Sequence, residues 1–137
     1  MTNEDIIQKI KNGLQNCCAT YGIARQDIGI KISAGLMSGV NCVLLKDNAP
    51  VLNSAGKSTV ISIKDLFGIN AMEALLVGNH LGGTLSKLAN NDKNKNITDK
   101  KKVNARMYSE SPDFYPSVTL YEGDKVVNDS ITIQDLT

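Results

Sequence analysis

The order in which the hydrophobic period changes along the chain is the strongest constraint on its fold. A period of about 3.6 residues, typical of an amphipathic helix, runs from about Asn3 to Thr20 and again from Asn70 to about Ala89. Elsewhere apolar residues alternate with polar ones, as in half-buried strands. Because the strands come in runs rather than singly between helices, the pattern predicts an α+β fold with a largely antiparallel sheet.

The predicted element order is approximately α-β-β-β-α-β-β-β, with two main helices packed on a sheet of five to six strands. In chain order the strand candidates are "DIGIKIS", "VNCVLLK", "STVISI", "VNARMYS", "SVTLY" and "KVV", with "SITIQ" as a further short one. The first alternates cleanly and is expected to be half-exposed, whereas the second is apolar on both faces and is expected to be more central. The third is expected to end in a single helical turn from Ser62 to Gly68.

Both main helices carry end signals and one apolar stripe each. Thr2 with Asp5, and Asn70 with Glu73, are typical of capping boxes, and Gly22 is a natural stop for the first helix. The positions expected to be buried are Ile6, Ile10, Leu14, Cys17 and Tyr21 in the first helix, and Ala71, Ala74, Leu75, Gly78, Leu81, Gly82, Leu85, Leu88 and Ala89 in the second.

Length and charge restrict the class of protein. The 137 residues predict a single domain, 1–137, in which the segment 90–102, with five lysines and two aspartates, is predicted to be a mobile loop. The formal net charge of +1 gives no overall field to hold a nucleic acid or an anionic membrane. The lysine-rich loop alone is too weakly charged to change this, so we expect neither nucleic acid nor membrane as a partner.

The N-terminus and the cysteines indicate a cytoplasmic location, or the virion if the gene belongs to a phage. Acidic residues precede the first isoleucines, and no apolar run approaches the roughly 20 residues of a membrane helix. Three cysteines, an odd number, are typical of reduced thiols, and one histidine without a C-x-x-C pair predicts no metal site or other cofactor. The asparagine- and lysine-rich composition is typical of small accessory or structural proteins of bacteria and phages.

The stretch "NSAGKST" is similar to the end of a phosphate-binding loop, but its context argues against one. The motif G-x-x-x-x-G-K-[ST] needs a glycine where this chain has Val51, and its lysine should open a helix rather than the strand "STVISI". An NTPase is therefore excluded, and a polar turn is the simplest interpretation. The alternative is a nest of N–H groups that holds a small anionic molecule, such as a nucleotide, without hydrolysing it. Its residues would be Asn53, Ser54, Gly56, Lys57, Ser58 and Thr59.

Two regions are candidates for protein contacts. Gly78 and Gly82 lie on the stripe of the second helix, where each glycine costs about 1 kcal/mol relative to alanine and usually permits close approach of another backbone. That backbone belongs either to the protein's own sheet or first helix, or to a second subunit. Leu76 and Val77 on the other face favour a second buried surface. The other region is a cluster of four aromatic residues and one arginine. It is expected to be a local core, a partner surface or a platform for a stacked ligand. Its residues are Arg106, Tyr108, Phe114, Tyr115 and Tyr121.

No catalytic set emerges from the sequence. His80 is the only histidine, and neither a nucleophile nor an orienting carboxylate is clearly placed beside it. This favours a protein that is not an enzyme. We therefore expect a non-enzymatic assembly or protein-binding module, as a homo-oligomer or as the partner of another protein, with the anionic-ligand binder as the alternative.

Overall fold

The computed structural model describes residues 1–35, 39–94 and 96–137. The α-helices are α1 (Asn3–Tyr21), α2 (Ile63–Phe67), α3 (Ala71–Ala89) and α4 (Ile133–Leu136), and short 3-10 helices span Asp92–Asn94 and Lys100–Lys102. The strands are β1 (Ile28–Ala34), β2 (Val40–Lys46), β3 (Ala49–Pro50), β4 (Val60–Ile61), β5 (Val103–Ser109), β6 (Pro116–Glu122) and β7 (Lys125–Asn128). Helices packed on an antiparallel sheet confirm the predicted α+β class.

The described strands form one curled sheet with the order β3-β2-β1-β5-β6-β7, and β4 pairs with β2 next to β3. β1 is therefore central, since it pairs with β2 on one side and β5 on the other. The expectation that β1 is half-exposed and β2 more central was wrong. The apolar residues on both faces of β2 do not mark a central strand. They are present because both faces are covered: Leu45, on the second face, is also fully buried.

The predicted ends of the main helices are confirmed by their capping contacts. The Thr2 hydroxyl accepts from the Asp5 N–H, and the Asp5 carboxylate accepts from the Thr2 N–H. Asn70 and Glu73 form the same reciprocal pair at the start of α3. Gly22 ends α1 in the left-handed conformation, with φ 65°, which glycine adopts without steric cost. Local chemistry alone therefore fixes where these helices begin.

One predicted strand is shorter than expected and another is absent, because helix caps occupy their residues. The Ser62 hydroxyl accepts from the Asp65 N–H and starts α2, so "STVISI" contributes only the two residues of β4. The segment "SITIQ" is not a strand. Thr132 and Asp135 form a capping box there, which turns the chain into α4.

The core lies between the helices and one face of the sheet. The sheet contributes Ile28, Ile30, Ile32, Cys42, Leu44, Ala105, Met107, Val118 and Leu120. From α1 come Ile6, Ile10, Leu14 and Cys17, as predicted. Tyr21, the fifth predicted position, is instead 44% exposed, because α1 ends there and the chain turns away at Gly22.

α3 is rotated relative to the prediction. Its buried residues are Val77, Gly78, Leu81, Leu85 and Ala89. Leu75 and Ala71, expected inside, are exposed, whereas Val77, expected on the other face, is only 4% exposed. The rotation accompanies a close backbone contact, because a Cβ atom on Gly82 would lie 3.0 Å from the carbonyl oxygen of Gly39.

The loop predicted to be mobile, residues 90–102, contains both 3-10 helices and is hydrogen-bonded to its surroundings. Asn94 is 3% exposed and donates to a main-chain carbonyl near the end of α3, at 2.7 Å. Glu122 on β6 accepts from two main-chain N–H groups of the loop, at 3.0 and 2.5 Å. Lys95 and the turn residues 36–38 lie outside the described residues, and the mobility of the loop stays a prediction.

Candidate functional site

The side of α3 that points away from the core is apolar and sparsely charged. Met72 is 75% exposed, Leu76 is 65% exposed and Leu75 is 61% exposed. The only Asp, Glu, Lys or Arg residues in this 19-residue helix are Glu73 and Lys87, near its two ends. α1 has the same length and carries four such residues, as is usual for a helix at the surface. Depletion of charge around large apolar side chains is typical of the centre of a protein interface.

Five exposed positions form a stripe on this side, which we call the outward face of α3. They follow one another at spacings of four, three, four and four residues, opposite the buried Leu81 and Leu85. The outward face consists of Met72, Leu76, Asn79, Gly83 and Lys87. At its centre the surface is open, because a Cβ atom on Gly83 would meet nothing within 4 Å among the described residues.

A cleft lies on each side of the ridge formed by Leu75 and Leu76. The first has a volume of about 260 Å³ and lies between the start of α1, with Met1 and Ile6, and the Leu76 side of α3. The second, of about 670 Å³, lies between the Leu75 side of α3 and the exposed Val60 of β4. The same surface therefore has a protruding part and recessed parts.

The glycines predicted to form a contact approach the protein's own chain. Gly82 packs on the carbonyl oxygen of Gly39, and a Cβ atom on Gly78 would lie 3.9 Å from the Cα atom of Gly39. Of the two explanations that the sequence left open for these glycines, the structure contains the first, close approach of the protein's own chain, at Gly39 just before β2. Leu76, the other predicted contact residue of α3, is exposed and lies on the outward face.

His80 and the cysteines do not form a nucleophilic set among the described residues. The Nε2 atom of His80 lies 2.6 Å from the main-chain oxygen of Thr137, so the imidazole joins α3 to the end of α4. Burial raises the pKa of Cys17 to about 11 and that of Cys42 to about 12, which keeps both thiols neutral at pH 7. The described residues contain no group of three or more potential metal ligands and no helix long and apolar enough to cross a membrane.

Arg106 on β5 is the centre of a second polar cluster, which joins two hairpin turns of the sheet. Its side chain is 3% exposed and donates to Asn104 Oδ1 at 3.1 Å and to Asn48 Oδ1 at 2.9 Å. The same guanidinium donates to the carbonyl oxygen of Gly123 at 2.9 Å and to the carboxylate of Asp124 at 2.7 Å. We call these residues the Arg106 network.

Two tyrosines complete the Arg106 network. The guanidinium carbon lies 4.0 Å from the centre of the Tyr121 ring, a cation–π arrangement, and the Tyr108 hydroxyl donates to Asn48 Oδ1 at 2.6 Å. Burial and the hydrogen bond with Tyr121 raise the pKa of Tyr108, so its hydroxyl stays protonated and can donate. Among the described residues, no buried side-chain nitrogen or oxygen lacks a hydrogen bond. With these groups satisfied by the chain itself, the geometry supports the local-core interpretation.

The other two predicted aromatic contact residues lie apart from this network. Phe114 has a φ of 63° and packs against the main core. Tyr115 is 38% exposed, and its hydroxyl accepts a hydrogen bond from Gln134 of α4 at 2.7 Å. The aromatic residues therefore do not form one continuous platform.

The polar turn at residues 53–59 uses its own N–H groups. Asn53 Oδ1 accepts from the N–H groups of Ala55 and Lys57, at 2.9 and 3.1 Å, and the Gly56 N–H donates to the Asn53 carbonyl. Thr59 donates both its N–H and its hydroxyl to the carbonyl of Val51. Ser54 and Ser58 lie in the same turn, which is thus a self-contained Asx-type turn, with the N–H groups of Ala55, Gly56, Lys57 and Thr59 already occupied.

Sequence reasoning missed Asn48 and Met72. Asp47 and Asn48 both have positive φ, 52° and 63°, as in the tight turn of a hairpin, and Asn is one of the residues that tolerate this conformation. The "DN" pair between "VNCVLLK" and the next residues was therefore a usable turn signal. Met72 belongs to the outward face, which could have been identified from the lack of charge between Glu73 and Lys87.

Comparison with known proteins found no family model, no curated protein and no solved structure that matches this chain. Any functional role has to be inferred from the chain's own residues.

Proposed function

We propose that this protein is a non-enzymatic assembly module, a homo-oligomer whose subunits meet through the outward face of α3. The observation that carries the proposal is the exposure of three large apolar side chains, Met72, Leu75 and Leu76, on a helix with ionised residues only near its ends. Full burial of one such side chain is worth roughly 1.5–3 kcal/mol, so leaving three of them in water is costly for a protein that stays monomeric.

The shape of the surface supports a second copy of the chain as the partner. In a two-fold symmetric contact the same patch meets itself, so it must carry both a protrusion and a recess. The ridge of Leu75 and Leu76, with a cleft on each side, meets that requirement. The net charge of +1 adds little repulsion between two copies.

Three free thiols support a location for this assembly. Cys17, Cys18 and Cys42 are free in the structure. We place the assembly in a reducing compartment, the cytoplasm, or in a virion assembled there if the gene belongs to a phage.

The test compares two leucines of nearly equal exposure. Leu76 is 65% exposed on the outward face, and Leu52 is 64% exposed near the turn at residues 53–59. Molar mass is measured by light scattering and sedimentation over a wide concentration range for the wild type, Leu76→Glu and Leu52→Glu, with circular dichroism to check the fold. We expect an oligomeric wild type, a monomeric Leu76→Glu and an oligomeric Leu52→Glu. A wild type that is monomeric throughout, or a folded Leu76→Glu that stays oligomeric, would overturn the proposal.

A further inference from the structure

We infer that the outward face of α3 pairs with the same face of a second copy, with the two helices antiparallel about a two-fold axis between Asn79 and His80. The inference rests on the proposed function and adds the direction and register of the partner helix. In this register, residues whose numbers add up to 159 face each other. Met72 then faces Lys87 of the other copy, and Leu76 faces Gly83.

The first argument is shape. Large side chains, Met72 and Leu76, occupy the N-terminal half of the outward face, and Gly83 leaves open space in the C-terminal half. Antiparallel pairing places the Leu76 of each copy over the Gly83 of the other. Each of these two contacts lets a large side chain fill the space that a glycine leaves open. Parallel pairing would set Leu76 against Leu76 and Gly83 against Gly83, which makes a bulge beside a gap.

Gly83 lacks a contact of the kind that explains the glycine at position 82. Gly82 packs on Gly39, whereas a Cβ atom on Gly83 would have no neighbour within 4 Å among the described residues. A glycine inside a helix costs about 1 kcal/mol relative to alanine, and the usual compensation is close approach of another backbone. A partner helix crossing at Gly83 supplies that approach.

The second argument is charge. The N-terminal end of α3 has Glu73, and the acidic first turn of α1 lies beside it, because Asn3 and Glu73 line the same cleft. The C-terminal end has Lys87, which lies on the outward face itself. The ion pairs among the described residues are Lys11–Asp113 and Arg106–Asp124. The charged groups at the two ends of α3 are not part of them.

Only one direction of pairing brings these ends together favourably. Antiparallel helices place the acidic end of each copy beside the basic end of the other, at both ends of the contact. Parallel helices would place like charges together at both ends. Charges at the edge of an interface add little affinity, but they determine orientation.

Disulfide trapping distinguishes the two directions. The background is Cys18→Ser, because Cys18 is partly exposed, whereas Cys17 and Cys42 are buried. Three variants are oxidised at a concentration at which the wild type is oligomeric: Asn79→Cys, Met72→Cys and the double variant Met72→Cys/Lys87→Cys. In the antiparallel pair the two copies of residue 79 are adjacent. The two copies of residue 72 are about 22 Å apart along the helix, at about 1.5 Å per residue. A disulfide needs Cα atoms within roughly 7 Å.

We expect covalent dimers from Asn79→Cys and from the double variant, and none from Met72→Cys. Efficient cross-linking of Met72→Cys would mean parallel helices and would overturn this inference while leaving the proposed function intact. A wild type that is oligomeric although none of the three variants cross-links would place the contact elsewhere and overturn it too. A wild type that is monomeric at every concentration would refute the proposed function itself.

Discussion

Replacement of Arg106 by methionine removes the guanidinium that joins two hairpin turns of the sheet. The change eliminates hydrogen bonds to the buried Asn104 Oδ1, to Asn48 Oδ1 and to the carbonyl oxygen of Gly123, and the contact with the Tyr121 ring. A hydrogen bond of this kind contributes about 1 kcal/mol net, and a cation–π contact of a desolvated arginine about 1–2 kcal/mol. We therefore expect the free energy of unfolding to fall by about 4–5 kcal/mol.

A competing argument predicts a much smaller effect. Exchange of a whole buried ion pair for apolar residues is often neutral, because the charges no longer need to be desolvated. Here, however, only one partner is removed. Asn104 Oδ1 accepts from Arg106 and would lose that donor, and Asn48 stays in a left-handed conformation with one hydrogen bond fewer. The buried Asn104 Oδ1, left without its donor, makes the change a destabilising one.

The matched control is Asp124→Ser. The Asp124 carboxylate binds the same guanidinium at 2.7 Å, but its side chain is 98% exposed, so its loss should change the free energy of unfolding far less than Arg106→Met does. Urea denaturation of the wild type and both variants, with equal m-values required, measures the two effects. The reasoning fails if Arg106→Met costs less than about 1 kcal/mol, or if Asp124→Ser costs as much as Arg106→Met.

Three further predictions concern other parts of the chain. At a concentration at which the protein is monomeric, Gly82→Ala should be less stable than Gly83→Ala. The Cβ atom added at Gly82 would lie 3.0 Å from the oxygen of Gly39, whereas the one added at Gly83 enters open space and should raise the free energy of unfolding by about 1 kcal/mol. Equal melting temperatures of the two variants would contradict this. Hydrogen bonds from the 90–102 loop, chiefly from the N–H group of residue 99, lower the pKa of Glu122 in the folded protein. The ionised carboxylate therefore stabilises the fold fully above the pKa that Glu122 has in the unfolded chain. This stabilisation is lost as the pH falls through the lower pKa of the folded state. Glu122→Gln should therefore destabilise the protein at pH 7 but not at about pH 3, as urea titrations at both values would show, and an equal difference at both would refute it. Millimolar ADP should not raise the melting temperature, since the N–H groups of Ala55, Gly56 and Lys57 in the 53–59 turn are already occupied. A rise that Lys57→Ala abolishes would instead support the anionic-ligand alternative.

The parts of the fold that depend on neighbouring residues could be predicted from the sequence. The capping pairs at Thr2 and Asn70 and the stop at Gly22 join residues at most four positions apart, and all three are present in the structure. Local signals also explain the errors. The pattern of "SITIQ" fits a strand, but the capping box that overrides it begins at Thr132, the third residue of the same stretch.

The features that could not be predicted depend on contacts between distant parts of the chain. The side of α3 that faces the core is set by Gly39, which lies more than forty residues before Gly82. The hydrogen bond between Arg106 and Asn48 spans 58 positions. The candidate contact surface was only partly found from sequence, because Leu76 was recognised while Leu75 was assigned to the core.

The central position of β1 determines when the protein can fold during its synthesis. β1 is complete by residue 34, but β5, its partner in the middle of the sheet, begins only at Val103. Until β5 leaves the ribosome, the nascent chain carries an unpaired strand edge beside the apolar row of Ile28, Ile30 and Ile32, a combination that invites pairing with other chains. Because the chain must be translated beyond Val103 before this edge is covered, closure of the sheet follows the synthesis of β5 rather than that of β1.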